Sequence, residues 1–204
     1  MGASSDRQRI ATYYDRLVDR YGYDPRACDA SGLVALKTRY EVLSQVTDLT
    51  GKSVLEVGCG FGDLGAYILA KYHRVEYVGI DVSPRMIQEG RKVRPGLTLR
   101  VMDVVEMPQS EKYDVVLAQG VFYLLEKNAQ SETRRLIKKM FGLAREALAF
   151  CALSTWGPAG DSSEYRVDPM ALLQDCRRLT TCLQLRHDYL PHDVALYLYR
   201  QQPA

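Results

Sequence analysis

The sequence predicts a doubly wound α/β fold, with a mostly parallel seven-stranded sheet and an antiparallel last strand. Three observations carry that expectation. Short, continuous apolar runs recur from residue 52 onward, as strands buried on both faces require. Amphipathic helical segments separate most of them, and alternating strand and helix builds a parallel sheet. The last two runs are joined by too few residues for a parallel crossover, which needs a dozen or more, so they pair antiparallel.

The elements follow in order. Ser5 with Gln8 makes a capping box, and Ile10, Tyr14, Leu17, Val18 and Tyr21 recur at helical spacing. Gly22 to Asp29 interrupts that pattern. A second helix starts from Ser31 as cap, with Leu33, Leu36, Tyr40 and Leu43 on one face. Strands are expected at Ser53–Val57, Val75–Ile80, Leu97–Met102, Tyr113–Ala118 and Ala147–Leu153. Helices are expected at Asp63–Tyr72, at Pro84–Val93 with Ser83 as cap, and at Ser131–Ala144. Asp168–Pro169 opens one more helix, and Cys182–His187 and Val194–Tyr199 form the closing hairpin.

Length and composition bound the function. A chain of 204 residues supports one core, so the reading is a single domain over 1–204, with a helical segment 1–48 before a sheet-forming core 49–204. Its 47% hydrophobic and 25% charged content excludes wholesale disorder. Lys+Arg 27 against Asp+Glu 25 is no footprint of a nucleic-acid binder, so none is expected as partner. The longest uncharged run, Ala147 to Gly160, is too short to span a bilayer, and no membrane partner is expected. The N-terminus has no apolar signal core, and Asp6 stands where a myristoylation signal wants Ser or Thr. Five cysteines without a CxxC pair argue against a disulfide scaffold or zinc ribbon. The expectation is a reduced, cytoplasmic protein of undetermined oligomeric state.

The chemistry lies in Val54-Leu-Glu-Val-Gly-Cys-Gly-Phe-Gly-Asp-Leu64. A buried strand runs into Gly58, Gly60 and Gly62, where backbone can approach a ligand beside a helix N-terminus. The pattern departs from the dinucleotide fingerprint, because Asp63 occupies the third glycine position. Glu56 also places a carboxylate beside the loop, which repels a pyrophosphate but suits an ammonium or sulfonium. At an effective dielectric of about 20, charges ~4 Å apart interact by roughly 4 kcal/mol, so the sign matters. Asp81 ends the second strand, placed for both hydroxyls of a ribose. Asp103 ends the third, where it could take an adenine amine or cap a helix. Ala118-Gln119-Gly120-Val121 makes a small-residue turn at the switch point of the sheet.

These motifs, in this order, resemble class I, Rossmann-like, S-adenosylmethionine-dependent methyltransferases over residues 50–125. The resemblance implies S-adenosyl-L-methionine as cofactor and S-adenosyl-L-homocysteine as product. It implies that Gly58, Cys59 and Gly60 line the methionine part, with Glu56 holding the amine. Asp81 would bind the ribose, Val82 and Met86 would pack near the adenine, and Asp103 and Val104 would contact it. Gln119, Gly120 and Val121 would border the sulfonium and the acceptor, and Tyr14 and Arg39 would reach the cofactor carboxylate. Substrate contacts are expected from Tyr13, Val121, Tyr123 and Trp156, with Tyr13 and Tyr14 alternatively plain core aromatics. The helices of residues 6–21 and 32–47 are expected to close over the cofactor as a lid.

The turn after the fourth strand lacks the Asn/Asp-Pro-Pro-Tyr of base-amine methyltransferases, which counts against methylation of adenine or cytosine amines. With the near-neutral charge and the short stretch between Asp103 and Tyr113, the expectation is a small-molecule acceptor methylated at oxygen or nitrogen. RNA or protein methylation, a nicotinamide oxidoreductase and a non-catalytic partner subunit are the competing readings. His187 and His192 are the candidate catalytic bases. His-x₄-His with Asp188 could suggest a metal, but a third clear ligand is missing and none is expected. His73 and the cations from Arg134 to Lys139 read as solvated surface.

Overall fold

The computed structural model describes residues 3–28, 32–158 and 163–202. Seven strands form one sheet: β1 (Ser53–Val57), β2 (Glu76–Asp81), β3 (Thr98–Val101), β4 (Tyr113–Ala118), β5 (Ala144–Leu153), β6 (Leu183–Arg186) and β7 (Asp193–Tyr199). Their order is β3-β2-β1-β4-β5-β7-β6. The first five strands run parallel, and β7 pairs antiparallel with both neighbours. The antiparallel strand therefore lies one position in from the edge, and β6 takes the edge itself. The more deeply buried β7 thus sits inside, with the partly exposed β6 outside it.

Among the described residues six α-helices accompany the sheet: α1 (Ala3–Tyr21), α2 (Leu33–Ser44), α3 (Asp63–Lys71), α4 (Pro84–Val93), α5 (Ala129–Leu143) and α6 (Pro169–Arg177). α1 begins before Ser5, so that residue lies within the helix and the expected capping box is not its start. The Ser31 cap falls outside the described residues. Ser83 and Asp168 cap α4 and α6, accepting hydrogen bonds from the backbone N–H groups of Met86 and Ala171, with proline in the first turn. α5 starts two residues earlier than expected, after Asn128 in a left-handed conformation. β5 begins directly at its end, at Ala144, three residues before the apolar run suggested.

Strand alternation divides the core into two layers. Leu55, Val57, Val116, Leu148 and Phe150 pack beneath α5 and α6 with Ile137, Met140 and Leu172. Val54, Val115, Leu117, Ala147 and Ala149 face the other layer, with Leu43, Leu64 and Ile68 of α2 and α3. Full burial of such side chains stabilises the fold by about 1.5–3 kcal/mol each. Glu56 falls in this second layer by alternation, and a polar group there requires a partner. α1 packs across α4, where Val18, Ala27, Phe61 and Met86 form a third, smaller cluster. Among the described residues no helix is long and apolar enough to cross a membrane.

Candidate active site

The strand register aligns the C-terminal ends of β1, β2 and β4: Val57 lies opposite both Ile80 and Ala118. β1 and β4 are neighbours although β2 and β3 intervene in sequence, so the crevice opens at this switch point. A cavity of ≈ 490 Å³ occupies it, within the range of small-molecule sites.

The glycine loop forms one wall. Gly58 and Gly60 have φ of 75° and 51°, a region that L side chains rarely adopt. A Cβ on Gly58 would lie 2.5 Å from Val121 Cγ1, so the β1 and β4 turns touch there without a side chain between them. A Cβ on Gly60 would sit 3.9 Å from both Cys28 Sγ and Met86 Sδ. The loop is fixed from below by Asp81, whose Oδ2 accepts from Gly60 N–H and Oδ1 from Ser83 N–H, both at 2.9 Å.

Two carboxylates in this wall have no cation within salt-bridge distance among the described residues. Burial pushes the Glu56 carboxyl up to about 8, reinforced by the Asp63 and Asp81 carboxylates and opposed by the Tyr77 hydroxyl. Tyr77 donates to Glu56 Oε2 at 2.5 Å. The side chain fits because Gly65 and Gly79 clear its path: a Cβ on Gly65 would lie 2.4 Å from its ring, and one on Gly79 2.7 Å from its hydroxyl. Burial likewise raises Asp81, against the backbone N–H groups of Ser83, Gly60 and Val82. Buried acids without counter-ions are costly, and a cationic ligand removes that cost.

The other expected residues divide by position. Val82, Met86, Asp103, Val104, Gln119, Gly120 and Val121 line the cavity together with Cys59. Asp103 also caps a 3-10 turn, accepting from Val105 N–H at 3.0 Å, which is its cap reading. Tyr14 reaches in from α1, with its hydroxyl 2.6 Å from that of Tyr123. Arg39 lines the cavity, but its Nε and Nη2 donate to Asp193 Oδ2 and Oδ1 at 2.5 and 3.0 Å. Its fork is therefore turned to Asp193. His192 stands beside this pair, 3.4 Å from Arg39 Nη2.

Three expected residues lie outside the cavity lining. Tyr13 is one helical step from Tyr14 and turns away, toward a surface groove with Gln8, Thr12 and Arg16. Trp156 is 52% exposed and pairs with the His187 ring at 5.3 Å. His187 follows the edge strand β6 and bonds Ser154 Oγ at 2.8 Å, whereas His192 precedes β7, one strand nearer the crevice. Among the described residues no group of three potential ligands could hold a metal.

Sequence reasoning missed Tyr77, Asp15, Cys28, Tyr40, Arg166 and Asp193. Asp15 accepts from Ser83 Oγ at 2.6 Å and Arg85 N–H at 3.1 Å, docking α1 on the start of α4. Only Asp15 carried a signal, an acid next to Tyr14 on a helix that meets another helix N-terminus.

Comparison with known proteins agrees with this geometry. Residues 55–146 match a family described as a methyltransferase domain. The Mycobacterium tuberculosis protein Rv1506c, whose name places it with the methyltransferases, is 29% identical over 67% of this chain and 86% of its own. Trans-aconitate 2-methyltransferase of Methylobacterium radiotolerans is 28% identical over 50% of this chain; only 38% of that longer protein is spanned. The crystal structure of magnesium protoporphyrin IX methyltransferase from Synechocystis with bound S-adenosylmethionine superposes with a TM-score of 0.69. It shares 17% identity, covering 96% of this chain and 97% of that one. The uncompensated acids, the glycine wall and the switch-point cavity fit S-adenosylmethionine, with S-adenosylhomocysteine as product. Residues 55–146 thus match the methyltransferase-domain family, and the chain as a whole has the fold of the class I S-adenosylmethionine-dependent methyltransferases.

Proposed function

We propose that the protein transfers a methyl group from S-adenosylmethionine to an oxygen or nitrogen of a small-molecule acceptor. The observation that carries this reading is buried Glu56 and part-buried Asp81, neither with a cation within salt-bridge distance among the described residues, beside the Gly58–Gly60 wall. The cofactor, when bound, supplies an electrophilic methyl carbon on a sulfonium. The chain supplies alignment and a dry site, which can contribute several kcal/mol. Glu56 meets the ammonium, Asp81 receives the ribose hydroxyls, and Asp103 with Val104 holds the adenine between Val82 and Met86. Gln119, Gly120 and Val121 border the acceptor, with Tyr14 and Tyr123 opposite. His192, steadied beside the Arg39–Asp193 pair, is placed to hold a proton released by the acceptor; His187 is not.

The relatives support a small acceptor, since trans-aconitate and magnesium protoporphyrin IX are named in two of them. Incubation of the protein with methyl-labelled cofactor and a deproteinised, nucleic-acid-free metabolite extract tests the reading. Label is expected in the low-molecular-weight fraction. Label appearing only when protein or RNA is supplied would overturn it.

A further inference from the structure

Four guanidiniums line the cavity, and each is already engaged by a carboxylate. Arg39 is gripped by both oxygens of Asp193. Arg135 donates to both oxygens of Glu132, at 2.8 and 2.5 Å. Arg166 donates to Glu164 at 3.1 Å and to the Pro158 carbonyl at 3.0 Å. Arg7 bonds Glu106 and lies 3.9 Å from Asp103. No lysine lines the cavity among the described residues, and segments 29–31 and 159–162 contain neither lysine nor arginine. His192 lies 3.4 Å from Arg39 Nη2 and 3.6 Å from Asp193 Oδ1, within the same cluster.

The balance of charge then falls on the acid side. Glu56 and Asp81 have no cation of their own, and the cofactor brings two positive groups and one carboxylate. The filled site keeps an excess of negative charge, and each guanidinium that lines it already has a carboxylate partner. The remaining wall is apolar, formed by Ile10, Leu36, Leu125, Leu136 and Leu153.

Resting on the methyltransferase reading, we propose that the acceptor is an uncharged or cationic alcohol, phenol or amine with an apolar body, and that the paired arginines exclude carboxylates and phosphates. Glu164 is the residue that withholds Arg166 from such anions. Both residues line the cavity, and the Arg166 side chain is half-buried there.

Saturation-transfer NMR on the protein loaded with S-adenosylhomocysteine tests this with matched compounds. The panel is 4-hydroxyphenylacetate, its amide and tyramine, with the corresponding indole and cyclohexyl series. Amides and amines are expected to bind, and each carboxylate at least about tenfold more weakly. Glu164→Gln, which frees Arg166, is expected to narrow that gap by about tenfold. A carboxylate that binds the wild type as tightly as its amide overturns the proposal, as does a panel in which nothing binds. Failure of S-adenosylhomocysteine to load the protein overturns the methyltransferase reading itself.

Discussion

Glu56 is 3% exposed and its carboxyl is pushed up to about 8, so the free protein holds a proton there at neutral pH. The unfolded chain gives up that proton near 4.5. The resulting stabilisation is fully present below 4.5 and is lost as pH rises through 8. A ligand bearing an ammonium and a sulfonium favours the carboxylate, so its binding at pH 7 expels the proton. Calorimetry in buffers of different ionisation enthalpy should show release of up to about one proton per site. Glu56→Gln should abolish it, and a buffer-independent enthalpy in the wild type would contradict the assignment. The Tyr77 hydroxyl gives a second prediction. A hydrogen bond to a charged acceptor contributes about 1.5–3 kcal/mol and one to a neutral partner about 0.5–1.5. Tyr77→Phe should therefore cost more stability at a pH above the Glu56 value of about 8 than below it. Denaturant unfolding of both proteins on either side of that pH measures the difference; equal losses would remove the pair from the account.

At the scale of elements, α1 forms part of the cavity wall. Asp6, Arg7, Ile10 and Tyr14 line the cavity from one face of this helix, and Arg9 bonds the Leu124 carbonyl beyond β4. Asp15 ties the same helix to the start of α4. Deleting residues 1–22 should leave a folded sheet that binds cofactor weakly and transfers no methyl group. Amide exchange gives the direct check: S-adenosylhomocysteine should add protection between Ile10 and Tyr21, and none would place the helix outside the site. The elements best foreseen were those with local punctuation. Ser83-Pro84 and Asp168-Pro169 mark helix starts in three or four residues, and both starts stand where expected. The start of α5 was displaced because Asn128 turns the chain through a left-handed conformation that no apolar period announces. β5 begins early because Arg145 and Glu146, though polar, continue the strand where its end is exposed to solvent.

At the scale of the whole molecule, the parallel order and the cofactor wall were legible because each strand carries its own acid or glycine at its end. Glu56, Asp81, Asp103 and Gln119 meet simply because parallel strands end on one side. The acceptor side was not legible, since it is assembled from pairs remote in sequence. Arg39 meets Asp193 across 154 positions, and Tyr14 meets Tyr123 across 109, with no local pattern at either end. The separation of His187 from His192 likewise depends on β7 lying inside β6, a topological fact and not a spacing. The central claim is that this acid-lined wall is a cofactor site, and titration calorimetry with S-adenosylhomocysteine tests it most directly. Asp81→Asn keeps the shape of the side chain but replaces the charged acceptor, whose bonds are worth about 1.5–3 kcal/mol each. One-to-one binding to the wild type, weakened at least about tenfold in a folded Asp81→Asn variant, is the predicted result. Equal affinity in the two proteins, or no binding to the wild type, would contradict it.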